Sequence, residues 1–159
     1  MSDYYKNPRP TPAKISDKYK KALENGYFDD NGALRIEFIQ EFSKEIAQLL
    51  CDRKMTSTQL RNFYSHVKRA CTIYKLNKDS NMKEAILLGK VKKLDSIVKY
   101  NMGRDNTGRD NMIPWIFGDF IALNLDACGS AKDITDGFAP HFETIVGYFK
   151  FYEKRRSGK

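Results

Sequence analysis

Turned at about 100° per residue, the stretch 56–76 ("TSTQLRNFYSHVKRACTIYKL") brings Phe63, Tyr64, Val67, Cys71 and Tyr74 within about 60° of Leu60. A stripe of that period suits a helix with one face in a core and does not suit a strand, whose side chains alternate. The period recurs along the chain. Phe38, Ile39, Phe42, Ile46, Leu49 and Leu50 give 33–52 an apolar face; Leu87, Val91, Leu94 and Val98 do the same for 81–102. Phe142, Ile145, Val146, Phe149 and Tyr152 share a broad face of 138–154. No stretch alternates with period two for any length. The pattern therefore predicts an all-α fold, a compact bundle of five or six helices.

Local signals set the boundaries. Thr56 and Gln59 have the spacing of a capping box, in which each side chain satisfies a free N–H of the first turn. A short helix is expected over 16–25, stopped by Gly26, with "FDDNG" (28–32) as a turn. One continuous helix is expected over 33–52. Another should start at Asn81, with Glu84 three residues on, and end at Met102, closed by Gly103 in the left-handed conformation. Pro114 suits the start of a helix over 115–125, where Gly118 is a weak helix former. "ACGSAKD" breaks it, and Pro140 belongs in the first turn of the last helix. Pro8, Pro10 and Pro12 make residues 1–14 an extended arm. The expected organisation is that arm, a single helical domain over 15–155 and a basic tail over 156–159.

Hydrophobic residues at 41% and aromatic residues at 13% are ample for a packed core. No apolar run reaches the eighteen or so residues of a membrane span, and the N-terminus lacks the apolar segment of a secretory signal, so a cytoplasmic protein is expected. Cys51, Cys71 and Cys128 are odd in number, widely spaced and set among apolar neighbours. They read as small core residues, not as a disulfide framework.

Charge is the feature that such a core does not explain. The formal net charge is +8, but residues 53–104 hold thirteen Lys/Arg against three Asp/Glu, a net of +10, which leaves −2 for the rest. Residues 22–52 run the other way, with seven acids against Arg35 and Lys44. A basic block between less basic flanks points to a polyanion; the plainer alternative is a solvated set of lysines. On the helical wheel Arg61, Lys68 and Lys75 stack at seven-residue steps beside the apolar stripe, with Ser65 and Thr72 next to them and Arg69 further round. Seven residues span about 10.5 Å of helix axis, a spacing that can follow phosphates along a strand. No acid sits four residues from Arg61 or Lys68, and Lys75 has only Asp79 at that spacing. On the next helix Lys92, Ser96 and Lys99 face away from the core and Lys93 lies on a flank. Arg104 and Arg109 then bracket a Gly-containing loop able to hold phosphate oxygens.

Four stretches in the same order carry a resemblance: "GYFDDNGALRIEFI" (26–39), "MTSTQLRNFYSHVKRACTIY" (55–74), "YNMGRD" (100–105) and "HFETIVGYFKFYEK" (141–154). Over about residues 26–154 the chain resembles the small subunit of type III-A CRISPR–Cas effector complexes, the Csm complexes; 112–137 matches only loosely, and the arm and tail fall outside. The resemblance implies a helical protein without catalytic activity of its own. Several copies of it stack along the complex, beside the duplex of guide RNA (crRNA) and target RNA, against the backbone and large subunits. It also implies RNA contacts from the middle helices, at Lys54, Arg61, Lys68, Arg69, Lys75 and Arg104 in this chain; Lys93 is added from the helical wheel. Such contacts would be to phosphate and ribose, since a subunit serving any guide must not read bases.

Other readings are less well supplied with residues. A ribonuclease would need His66 and His141 as acid and base. His66 and Cys71 lie about 140° apart on one helix, poor for a shared metal, and no metal or cofactor site is read. A sequence-specific DNA reader could use "CDRKMT" as a helix-turn-helix joint, but of the adenine-reading side chains its outward face offers only Asn62, off the basic rail. A purely structural adaptor would leave the charge to solubility. Tyr148, Phe149, Phe151 and Tyr152 could stack on bases, although their helical spacing marks them first as core or subunit interface.

Overall fold

The computed structural model describes residues 14–77, 81–104 and 113–157. Seven α-helices follow one another: α1 Asp17–Glu24, α2 Glu41–Asp52, α3 Ser57–Leu76, α4 Lys83–Lys92, α5 Leu94–Gly103, α6 Trp115–Ala127 and α7 Ala139–Ser157. Because α4 and α5 share Lys93 as their junction, they form one interrupted rod, and the bundle has six. Among the described residues the nearest thing to a strand is an isolated bridge between Phe28 and Leu34. No described helix is long and apolar enough to cross a membrane. The all-α bundle expected from the periodicity is the fold.

The apolar stripes meet as anticipated. α7 packs along α2 and α3, α4 lies on α3, and α6 is covered by α5, α1 and α2. Leu60, Phe63, Val67 and Cys71 of α3 are buried, as are Leu87, Val91, Leu94 and Val98 of the interrupted rod and Phe142, Ile145 and Phe149 of α7. An aromatic seam links the layers, with ring centroids 5.1 Å apart at Phe63–Phe117, 5.4 Å at Tyr64–Phe142 and 5.5 Å at Phe120–Phe142. All three cysteines are free and buried.

Three expectations are corrected. Residues 33–52 are not one helix: Leu34 pairs with Phe28, a single 3-10 turn spans Ile36–Phe38, and α2 begins at Glu41. The Phe38 carbonyl, which a continuous helix would give to the amide of residue 42, is taken instead by the Ser43 hydroxyl and by Nδ1 of His141. The second correction concerns 81–102. Glu84 does not close a capping box at Asn81; its carboxylate accepts the Ala131 amide at 3.1 Å, and α4 starts at Lys83. The rod is then interrupted at Lys93, whose carbonyl accepts the Ser96 hydroxyl at 2.8 Å as well as the Ser96 amide at 3.1 Å. Serine bonded back to its own helix in this way bends it. Third, Gly103 is not left-handed; it is the last residue of α5, and Arg104 leaves in an extended conformation. Positive φ occurs where the chain turns earlier, at Gly26 (86°) and Gly32 (81°).

The last helix also gains a lead-in. A wide π-type turn, Asp133–Phe138, runs straight into α7. Pro140 has no N–H for the carbonyl four residues back and its ring crowds that carbonyl, which a wider turn accommodates. Gly137 in this turn lies against Tyr27, whose Cγ would be 2.7 Å from any Cβ placed there. Residues 1–13 of the expected arm, and Arg109 with most of its loop, lie outside the described residues. At the other end Arg156 donates to the Cys51 carbonyl, tying the end of α7 to the end of α2.

His141 is fully buried, and burial pushes its pKa down from 6.5 to about 4. The unfolded chain therefore binds a proton between pH 6.5 and 4 that the folded chain refuses. This contribution to stability is complete above pH 6.5 and falls by about 1.4 kcal/mol for each unit of acidification down to about pH 4. Denaturant titrations at pH 7, 6 and 5 should show that slope in the natural chain and a shallower one in His141→Gln. Equal slopes in the two would mean that His141 titrates normally.

Candidate nucleic-acid interface

Helix α3 supplies the frame. Thr56 caps it with both reciprocal bonds of the capping box, its Oγ1 accepting the Gln59 amide at 3.1 Å and the Gln59 side chain accepting the Thr56 amide at 3.0 Å. One face is held in the core, so the other directions of the helix are fixed. Arg61, Lys68 and Lys75 emerge exposed along one flank. Ser65 and Thr72 beside them turn their hydroxyls inward, onto the Arg61 and Lys68 carbonyls at 2.8 and 3.0 Å, and offer little competition for a ligand. Carboxylates mark the inner edge of this rail: Glu143 helps burial to raise Tyr64 to about 12, and Asp136 acts in the same sense on Cys71. Among the described residues, neither they nor any other carboxylate forms an ion pair with the three cations.

Arg69 and Lys93 come together on the opposite flank of α3. They line an open groove between α3 and the α4–α5 rod with His66 and Lys90, over a floor of Ala70, Ile73 and Ile97. Lys90 was missed in the sequence. It lies three residues before Lys93, a spacing that puts both on one helix face, and that was the signal. Lys92, expected on the outward face, is exposed, whereas Lys99 is engaged by Asp95 at 2.8 Å. The seven cations read from the sequence are thus all exposed, but they form two basic surfaces and two outliers, Lys54 and Arg104.

Lys54 sits at the joint between α2 and α3. Its amide donates to the Cys51 carbonyl at 3.0 Å and that of Met55 to the Leu50 carbonyl at 3.1 Å, the paired bonds of a Schellman ending. Lys54 occupies the left-handed position that glycine usually fills, with φ 63°, and Met55 behind it is fully buried. A long basic side chain is kept where the backbone would favour none.

The histidines do not form a catalytic pair. His66 is exposed on α3, while His141 is sealed in the core among Tyr19, Phe38 and Phe120. Among the described residues no group of His, Cys, Asp and Glu is placed to hold a metal ion. Of the four aromatics at the end of α7, Phe149 is fully buried and Phe151 is 55% exposed; Tyr148 is half-buried, with the Lys44 ammonium 5.5 Å from its ring centre.

Residues 33–155, which include all seven of these cations, match the family model described as Csm2 Type III-A. The chain belongs to the Csm2 family. Membership makes it a small subunit of a type III-A CRISPR–Cas effector, assembled with other subunits of that complex. No curated protein and no solved structure matches it. The family match begins after α1, so Tyr19 and Tyr27, which help to bury His141 and to order Asn124, lie outside the matched part of this Csm2-family chain.

Lys54 gives a test that separates charge from packing. Lys54→Gly should stabilise the fold by about 1 kcal/mol, by relieving the left-handed strain, while weakening RNA binding. Thermal unfolding and RNA titration of the same preparation check both. A loss of stability would assign Lys54 a packing role.

Proposed function

We propose that this chain is a non-catalytic small subunit that binds the duplex of guide and target RNA through phosphate and ribose contacts, whatever the base sequence, in cytoplasmic antiviral defence. Copies of it line the duplex, packing against one another and against the backbone and large subunits, in which the chemistry of the complex resides.

The observation that carries this reading is the rail of Arg61, Lys68 and Lys75, exposed at seven-residue steps and unpaired among the described residues. Like charges in a row add nothing to a helix as structure. They do neutralise a phosphate strand, and each phosphate neutralised releases counterions and so steepens the salt dependence of binding. Lys54 and Arg104 extend the same field at the ends of α2 and α5. Arg69 and Lys93 add to it from the groove, though their apolar floor is of no use to phosphate. One copy making a few such contacts binds weakly; copies arrayed on one strand multiply the effect through effective concentration.

Replacing Arg61, Lys68 and Lys75 together by Gln should leave thermal unfolding unchanged, because all three side chains are exposed. It should reduce the slope of log K against log salt by about 2 for single-stranded RNA, at about 0.7 per lost contact. Unchanged affinity and slope would return the charge to solubility and leave a structural adaptor.

A further inference from the structure

Helix α6 turns outward a stripe that its neighbours among the described residues leave largely uncovered. Trp115, Asp119, Ala122 and Asp126 fall within about 60° of one another on its wheel. Trp115 is 75% exposed, both acids are exposed, and neither forms an ion pair among the described residues. Trp115 is also the only tryptophan of the chain. Two carboxylates beside it make this a poor seat for RNA, since they repel the phosphates that accompany any base. An exposed indole flanked by carboxylates suits an apolar surface with a basic rim.

Such a surface lies on the same molecule. The groove between α3 and the α4–α5 rod has an apolar floor that includes Ile73, which is 42% exposed, and a rim of Arg69, Lys90 and Lys93. No acid lines it. We infer that the α6 stripe of one copy docks in the groove of the next, with Trp115 on Ile73 and Ile97 and with Asp119 and Asp126 facing the basic rim. The inference rests on the proposed assembly of copies and names the two faces that would meet. Because the faces differ, the contact is heterologous and repeats without closing, which gives a row of copies in place of a closed dimer. It leaves the Arg61–Lys68–Lys75 rail free for phosphate.

Charge exchange on the full-length chain, without RNA, tests this. The natural chain should associate with rising concentration in sedimentation, and its single tryptophan should shift its emission to the blue as it is covered. Asp119→Lys/Asp126→Lys and Arg69→Glu/Lys90→Glu/Lys93→Glu should each associate about tenfold more weakly or worse, and an equimolar mixture of the two should recover association. A natural chain that stays monomeric, variants that associate as it does, or a mixture that fails to recover would each overturn the inference. RNA binding by the natural chain is measured separately, so a natural chain that stays monomeric yet binds RNA with the expected salt dependence removes this proposal alone and leaves the rail's role standing.

Discussion

The backbone carbonyl of Phe38 accepts two buried side chains, the Ser43 hydroxyl and the His141 imidazole, and the proton on every group behind them follows from that. A carbonyl only accepts, so Nδ1 of His141 carries its proton and Nε2 must accept. Tyr19 donates to Nε2 at 2.8 Å, and its oxygen accepts the Asn124 amide, also at 2.8 Å. The orientation of Asn124 is thereby fixed, and its carbonyl oxygen accepts the Tyr27 hydroxyl at 2.8 Å. One chain of directed bonds joins α1, the loop after it, the turn before α2, α6 and α7. Buried polar groups are expensive unless satisfied, so these segments pack in one register or not at all. Burial also raises the pKa of both tyrosines and lowers that of His141, which keeps every member neutral.

That register orients the surface. With α7 held against α2 and α3, the buried stripe of α3 faces inward along its whole length, and its two flanks become the rail and the groove. Membership of the Csm2 family supplies the setting in which two separate basic surfaces make sense. In the proposed function such a subunit has a polyanion on one side and protein neighbours on others. The bare rail suits the first and the apolar-floored groove suits the second.

Periodicity in the sequence revealed α3 and its cap, the core face of α7 and the buried residues of the interrupted rod, because those elements are held by local spacing. It did not reveal where helices break. Phe38 has the right spacing for a helix face, yet its carbonyl is claimed by His141, 103 residues away, and nothing local announces that bond. Glu84 likewise has capping-box spacing but serves Ala131. Lys54 and Arg104 were named only by the family resemblance, whereas the exposure of Arg61, Lys68, Arg69, Lys75 and Lys93 followed from the helical wheel. Their division into rail and groove did not, because it depends on which flank of α3 the α4–α5 rod covers. The left-handed Lys54 and the outward stripe of α6 depend on tertiary packing in the same way.

The central claim is that this surface meets the RNA backbone without regard to its letters. Titrating the purified chain against two guide–target duplexes of equal length and unrelated sequence, at several salt concentrations, tests it most directly. The account predicts one shared, steep line of log K against log salt. Two lines of different height, or a single line indifferent to salt, would contradict it.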